Sequence, residues 1–207
     1  MNFETLLFTE VPEIKDFMLH IKYINDNKVQ QGRTGWVMRQ IENPETIYEH
    51  MCKVNLASYY LLGFLPDEAI AHELPEGAPN GFDYIPGQIT SENKRKKEEE
   101  GMKQLVLQIP NGQRWLEAWE NYENKKTETS KIITSLDKIC PCIEVLNLRK
   151  EYSTPNHNLE EFYPYALQRI TIPQLTEVLQ EMYTTKIPLS INAYQIYFTK
   201  LKKLKIN

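Results

Sequence analysis

Long apolar runs are missing from this chain: nothing approaches the roughly 18 consecutive apolar residues that a membrane-spanning helix requires. The first residues, MNFETLLFTEVPEIKD, also lack the basic start and apolar stretch of a secretory signal, so the sequence predicts a cytosolic protein with no membrane partner. Cysteine is scarce. Cys52, Cys140 and Cys142 are an odd number, and the last two sit in a Cys-Pro-Cys run too tight for an easy mutual bridge, which leaves free thiols. A thiolate zinc site needs paired clusters, and there is no second cluster. Surplus positive charge is absent as well: 24 Lys and Arg stand against 28 Asp and Glu, a net charge of -4. That balance argues against a long nucleic acid, whose binding rests on neutralising phosphates. It leaves room for a small phosphorylated ligand held by one local cationic or metal site.

What remains is an ordinary globular composition, 41% hydrophobic and 25% charged, in a length of 207 residues that suits one domain with a buried core. Residues 11–25 carry Ile14, Phe17, Met18, Ile21 and Ile24 at the spacing of an amphipathic helix. A loop follows through Gly32 and Gly35. A second helix is expected to start near Asn43-Pro44-Glu45, with Asn capping and Pro in the first turn, and to run to about Leu62. Leu65-Pro66-Asp67-Glu68 opens a short third helix reaching His72-Glu73, which Pro75 should end or kink. Residues 77–82 are dense in Gly and Pro and read as loop.

Farther on, residues 91–109 begin with a charge run, Lys94 to Glu100, most simply an exposed helix face. Helices are then expected from Gly112 to about Tyr122 and from Thr127 to about Leu148. The second of these has Ile132, Leu136, Ile139, Ile143 and Leu146 as its stripe and Asp137 beside it. Stretches near 158–170, 173–184 and 190–205 complete about eight helices. The last is basic and is expected to dock on the domain with its lysines in water. No period-two alternation or internal repeat interrupts them, so the fold class is all-α, a single domain over residues 1–207.

Chemistry has few places to reside. Of four histidines, His50 and His72 fall in neighbouring helical segments, and His72 adjoins Glu73. Neutral imidazole with carboxylate suits first-row divalent metals at neutral pH. Taken alone, a His-Glu dipeptide reads more simply as an exposed helix end. His20 and His157 read as surface or structural residues.

The order His50, His72-Glu73, Asp137 matches the H…HD…D order of the HD superfamily of helical metallophosphohydrolases. The chain further resembles the 5′-deoxynucleotidase-like branch of HD-domain proteins. It does so in Arg33-Thr34-Gly35-Trp36-Val37-Met38-Arg39, in Pro44-Glu45 followed by Glu49-His50-Met51, in the charge run from Lys94 to Glu100, and in Trp119-Glu120-Asn121-Tyr122-Glu123. The resemblance covers about residues 12–182 and leaves out the helix expected at 190–205.

It implies an HD-type helical bundle, a homodimer, and a divalent ion (Mn, Co, Mg, Ni, Zn or Fe) on His50, His72, Glu73 and Asp137. The implied reaction is removal of phosphate from (deoxy)nucleoside 5′-monophosphates by metal-activated water. Glu76 takes the proton-handling role and Asp83 is a second carboxylate; otherwise Glu76 is an exposed acid beside a proline and Asp83 a turn residue. Arg33 is assigned to the phosphate. Trp36 is either a core anchor or a contact to base or sugar. Two departures stand out. The family's His-Asp pair is His72-Glu73 here, one methylene longer, and the loop at 77–82 is longer and richer in Gly and Pro. Alternatives are a binding-only or scaffold descendant and a phosphatase for another phosphorylated metabolite.

Overall fold

The structure, a computed structural model, describes residues 32–78, 81, 83–84, 87–148 and 157–185. The helices expected at 11–25 and 190–205, and His20, lie outside the described residues. Helices α1 (Thr34–Val37), α2 (Ile47–Leu62), α3 (Asp67–Ala71), α4 (Leu74–Gly77), α5 (Ser91–Val106), α6 (Gly112–Glu123) and α7 (Glu128–Leu148) follow in order. A 3₁₀ turn (Leu159–Glu161), α8 (Phe162–Leu167) and α9 (Pro173–Thr185) complete them. Among the described residues β-type pairing is confined to isolated bridges, Gly32 with Thr46 and one at Ile89, so the architecture is all-α as the periodicity predicts. No helix among these residues is long and apolar enough to cross a membrane.

Helix α2 begins later than expected. Its cap is Thr46, whose hydroxyl accepts from the Glu49 N–H at 3.1 Å while the Glu49 carboxylate accepts from the Thr46 N–H at 2.8 Å, a reciprocal capping box. Asn43, left-handed at φ 50°, lies three residues before the cap, and the Glu45 carbonyl is taken by the Arg33 N–H at 2.8 Å, which holds this stretch extended. The C-terminus does fall at Leu62. Gly63 closes it in the left-handed region at φ 79°, where its N–H donates to the Tyr59 carbonyl. The buried positions Ile47, His50, Met51, Val54, Ala57 and Ser58 lie at helical spacing, which places His50 on the inward stripe.

Pro75 does not end a helix. Glu73, at φ -111° and ψ 4°, breaks the chain between α3 and α4, and Pro75 occupies the first turn of α4, where its missing N–H costs nothing. Gly77 accordingly belongs to a helical turn and not to loop.

Helix α7 is the central element. It packs against α2, α3, α6, α8 and α9 and is buried on nearly every face between Ser130 and Leu146. Pro141 sits inside it, four residues after Asp137, so the Asp137 carbonyl lacks its usual intrahelical donor. Two apolar clusters fill the interior. One gathers around α7, α8 and α9 with Trp36, Val54 and Ala69; the other joins Ile47, Met51, Leu74, Met102 and Trp119 from α2, α4, α5 and α6. Ile133, with no exposed surface, anchors the first cluster. Ile133→Ala is expected to lower unfolding stability in urea by about 2–5 kcal/mol through lost burial and a residual cavity. A loss below about 1 kcal/mol, the scale of surface changes, would show that this part of the core is loosely packed.

Candidate metal centre

The four predicted ligands converge. His50 from α2, His72 from the end of α3, Glu73 from the break before α4 and Asp137 from α7 are all buried, and one ligand atom from each lies within 4.8 Å of the others. Local sequence explains each placement. His50 rides the apolar stripe of α2, Asp137 lies on the fully enclosed part of α7, and the backbone break at Glu73 turns two successive side chains toward one point.

His72 shows which of its nitrogens is free. Nδ1 lies 2.7 Å from the Ala69 carbonyl, which can only accept, so the proton is on Nδ1 and the lone pair on Nε2. Nε2 is buried with no hydrogen-bond partner. A buried acceptor without a donor is costly in a folded protein, and a cation would satisfy it. Burial holds the ring well below its usual range, at about 3, so it stays neutral and able to ligate. His50 is likewise kept neutral, by burial and then the Arg33 charge. Its Nε2 lies 3.0 Å from Asp137 Oδ1 and 3.5 Å from Glu73 Oε1. The donor set, two imidazoles and two carboxylates, therefore fits a first-row divalent ion.

Surrounding groups orient these ligands. Tyr122 from α6 donates its hydroxyl to Asp137 Oδ2 at 2.7 Å, and Lys138 Nζ donates to the same oxygen at 2.6 Å. Burial alone would raise the Asp137 carboxyl, but the Lys138 ammonium and His50 hold it well below the ordinary carboxylate range. On the other side of His50, Glu45 Oε2 lies 3.8 Å from Nδ1 and accepts the Trp36 indole N–H at 3.1 Å. Lys53 Nζ approaches Glu45 Oε1 at 2.9 Å. Arg33 Nη2 pairs with Glu73 Oε1 at 3.3 Å.

Above the ligands opens a cavity of about 480 Å³. One end is charged, with Arg33, Glu76, Asp83, Lys94, Glu98 and Lys138. The other is largely aromatic, formed by Trp36, Phe162 and Tyr165. Glu76 is buried, with Oε1 3.2 Å from Lys94 Nζ and Oε2 unpartnered. Burial, and then the Glu73 charge, push its carboxyl up to about 8, so it holds a proton at neutral pH. The α4 turn that carries Glu76 is clamped by Gly81, where a Cβ would lie 2.2 Å from the Pro75 carbonyl oxygen. Asp83 accepts the Thr34 N–H at 2.6 Å, which ties its segment to the start of α1, and burial raises its carboxyl.

Trp36 is a core anchor: 2% exposed, stacked on Phe162 at 4.3 Å, with its indole edge also bordering the cavity. The charge run on α5 is not wholly solvated. Lys94 and Glu98, one turn apart, point inward, with Lys94 Nζ 2.9 Å from Glu98 Oε1 and Glu98 only 8% exposed. Burial raises the Glu98 carboxyl to about 7. Lys96, Lys103 and Glu99 form the exposed face expected of the whole run. Sequence reasoning assigned no role at the site to Glu45, Lys94, Glu98, Tyr122 or Lys138, although the first four lie in motifs it had singled out and Lys138 adjoins Asp137. The one signal was spacing: Lys94 and Glu98 extend the stripe of Met102 and Leu105 backward along α5 in steps of four. His157 stays apart, with Nδ1 2.7 Å from the Arg39 carbonyl.

Comparison with known proteins gives the same direction. The 5′-deoxynucleotidase HDDC2 of Mus musculus is 27% identical over 163 residues, covering 74% of this chain and 80% of that protein. The Homo sapiens protein of that name is 26% identical over 162 residues, covering 72% and 76%. The one from Dictyostelium discoideum is 28% identical over 149 residues, covering 62% and 73%. The family described as HD domain matches residues 26–176, the span that contains all four converging ligands, and this chain belongs to that family.

Proposed function

We propose that this chain is a metal-dependent phosphomonoesterase acting on nucleoside 5′-monophosphates, deoxynucleotides among them, built as a single HD-type domain. The observation that carries the reading is the buried set His50, His72, Glu73 and Asp137 at the floor of the cavity, with the protonated Glu76 beside it. The 5′-deoxynucleotidase relatives support the substrate class.

In this reading His72 Nε2, His50 Nε2, Glu73 Oε1 and Asp137 Oδ1 hold the ion, drawn from Mn, Co, Mg, Ni, Zn and Fe. An ion held there would supply charge neutralisation for phosphate and lower the pKa of a water. The protein's own groups do the rest. Lys138 and Tyr122 keep Asp137 Oδ2 occupied so that Oδ1 faces the centre. Arg33 lies at the edge of the ligand set, where a guanidinium meets phosphate oxygens. Glu76 gives its proton to the nucleoside oxygen as the phosphorus–oxygen bond breaks, so that the nucleoside leaves as the alcohol. Asp83 holds the Arg33–Trp36 segment through the Thr34 N–H. The aromatic end, where Trp36 borders the cavity, takes the nucleoside. A homodimer working in the cytosol is the assembly and place we propose, in keeping with the prevalence of two-fold pairs among soluble enzymes.

His50→Ala and Asp137→Ala should each abolish metal binding in equilibrium dialysis while the far-ultraviolet circular dichroism stays helical. Stoichiometric metal in both variants rejects this ligand set. Metal-stripped protein, given each ion separately and a panel of ribo- and deoxynucleoside 5′-monophosphates, should release phosphate. Glu76→Gln should lower kcat by about 10²–10⁴-fold, the usual worth of a proton-transfer group. Silence across the panel despite measured metal binding turns the reading toward another phosphorylated metabolite or a binding-only role.

A further inference from the structure

We propose that Lys138 is a substrate-binding residue, the cation that receives the phosphate on the α7 side of the cavity. The inference rests on the phosphomonoesterase reading and adds to it a residue which that reading uses only to hold Asp137.

Donor and charge counting lead to Lys138. A divalent ion's two charges are matched by the carboxylates of Glu73 and Asp137, so further attraction for a phosphate dianion has to come from side-chain cations. Four line the cavity, Arg33, Arg39, Lys94 and Lys138, and Arg39 is held by Glu161 at 2.7 Å over the Phe162 ring. Lys94 is divided between two carboxylates, Glu76 at 3.2 Å and Glu98 at 2.9 Å. Arg33 pairs with Glu73 Oε1, the oxygen that also faces His50, so it shares the atom a metal needs. Lys138 is placed differently. It takes Asp137 Oδ2, whereas Oδ1 faces His50, so its ion pair does not compete for the ligand oxygen.

An ammonium has three N–H donors, and the contact with Asp137 uses one. Lys138 also borders the cavity, with about a quarter of its side chain exposed (26%). It follows Asp137 directly on α7, one turn before Pro141, and lines the same cavity as Tyr165. Lys138 thus lines a cavity whose wall also includes Trp36, Phe162 and Tyr165, so a phosphate received there leaves aromatic surface for the organic group it carries. Tyr122 provides an internal control, since it holds the same Asp137 oxygen without carrying charge.

Two roles for Lys138 predict opposite signs. A residue that only holds Asp137 stabilises the metal site, and its loss weakens metal binding. A phosphate-receiving cation repels the ion it stands beside, and its loss leaves metal binding unchanged or tighter while phosphate binding falls. The experiment is titration calorimetry of Lys138→Met, Lys138→Arg and Tyr122→Phe, first with Mn on metal-stripped protein and then with inorganic phosphate on metal-loaded protein, alongside kcat and KM. For Lys138→Met we expect metal affinity at least equal to that of the unaltered protein. Phosphate binding should weaken about tenfold or more, the scale of a lost charge-assisted hydrogen bond, with KM raised in parallel. Lys138→Arg should restore most of the phosphate affinity, and Tyr122→Phe should weaken metal instead.

Phosphate bound as tightly by Lys138→Met as by the unaltered protein overturns the proposal, as does a loss of metal affinity matching that of Tyr122→Phe. No phosphate binding to the unaltered loaded protein overturns it too. Lys138-dependent phosphate binding without turnover of any nucleotide would leave this assignment standing and remove the nucleotidase reading.

Discussion

Asp137 carries a negative charge where only 1% of its surface meets water, and that charge organises what surrounds it. A carboxylate at such depth is tolerated only when both oxygens are satisfied, because an isolated buried charge costs several kcal/mol. Oδ2 takes donors from two helices, the Tyr122 hydroxyl on α6 and the Lys138 ammonium on α7 itself, and Oδ1 faces His50 on α2. Three helices are thereby fixed at one point by a polar seam, in addition to the apolar contacts that Val54, Tyr122 and the α7 stripe make in one cluster. The seam aligns the elements that carry the ligands, and the apolar clusters supply most of the burial energy.

Much of this was legible in the chain itself. Periodicity sufficed for α2, α5, α6, α7 and α9, because each carries apolar residues at helical spacing and presents that face to a neighbour. The ligand set was readable from the order of His50, His72-Glu73 and Asp137, which is a pattern of residue types and needs no distances. The α2 start went wrong for a tertiary reason. The Gly32–Thr46 bridge and the bond from the Arg33 N–H to the Glu45 carbonyl hold that stretch extended, and local propensity does not encode them. Pro75 was misread because a proline that ends one helix and a proline that begins the next look alike until the break at Glu73 is known.

The α5 charge run shows a different limit. Composition describes Lys94 to Glu100 as solvated, and most of its surface is, yet a helix turns residues four apart to the same side. When that side borders a cavity, a lysine and a glutamate from an otherwise ordinary run become part of its wall. Lys94 then meets Glu76, eighteen positions earlier, and Glu98 is raised by burial. Which i, i+4 pair faces inward depends on the rotation of α5 against α4 and α6, set by Gly101, Met102 and Leu105 packing beneath.

The aromatic rim has another provenance from the floor. Arg39, Glu161, Phe162 and Tyr165 come from the turn after α1 and from the segment entering α8, and neither contributes a residue to the converging His and carboxylate set. Phe162 is held by Trp36 on one side and by the Arg39 guanidinium, itself tied to Glu161 at 2.7 Å. The mouth is thus drawn from other elements than the floor and joined to it through the Trp36 indole N–H on Glu45. Substitutions there reshape what is admitted while the buried carboxylates keep their partners, which is a physical route by which one helical frame passes from one clientele to another without rebuilding its chemistry.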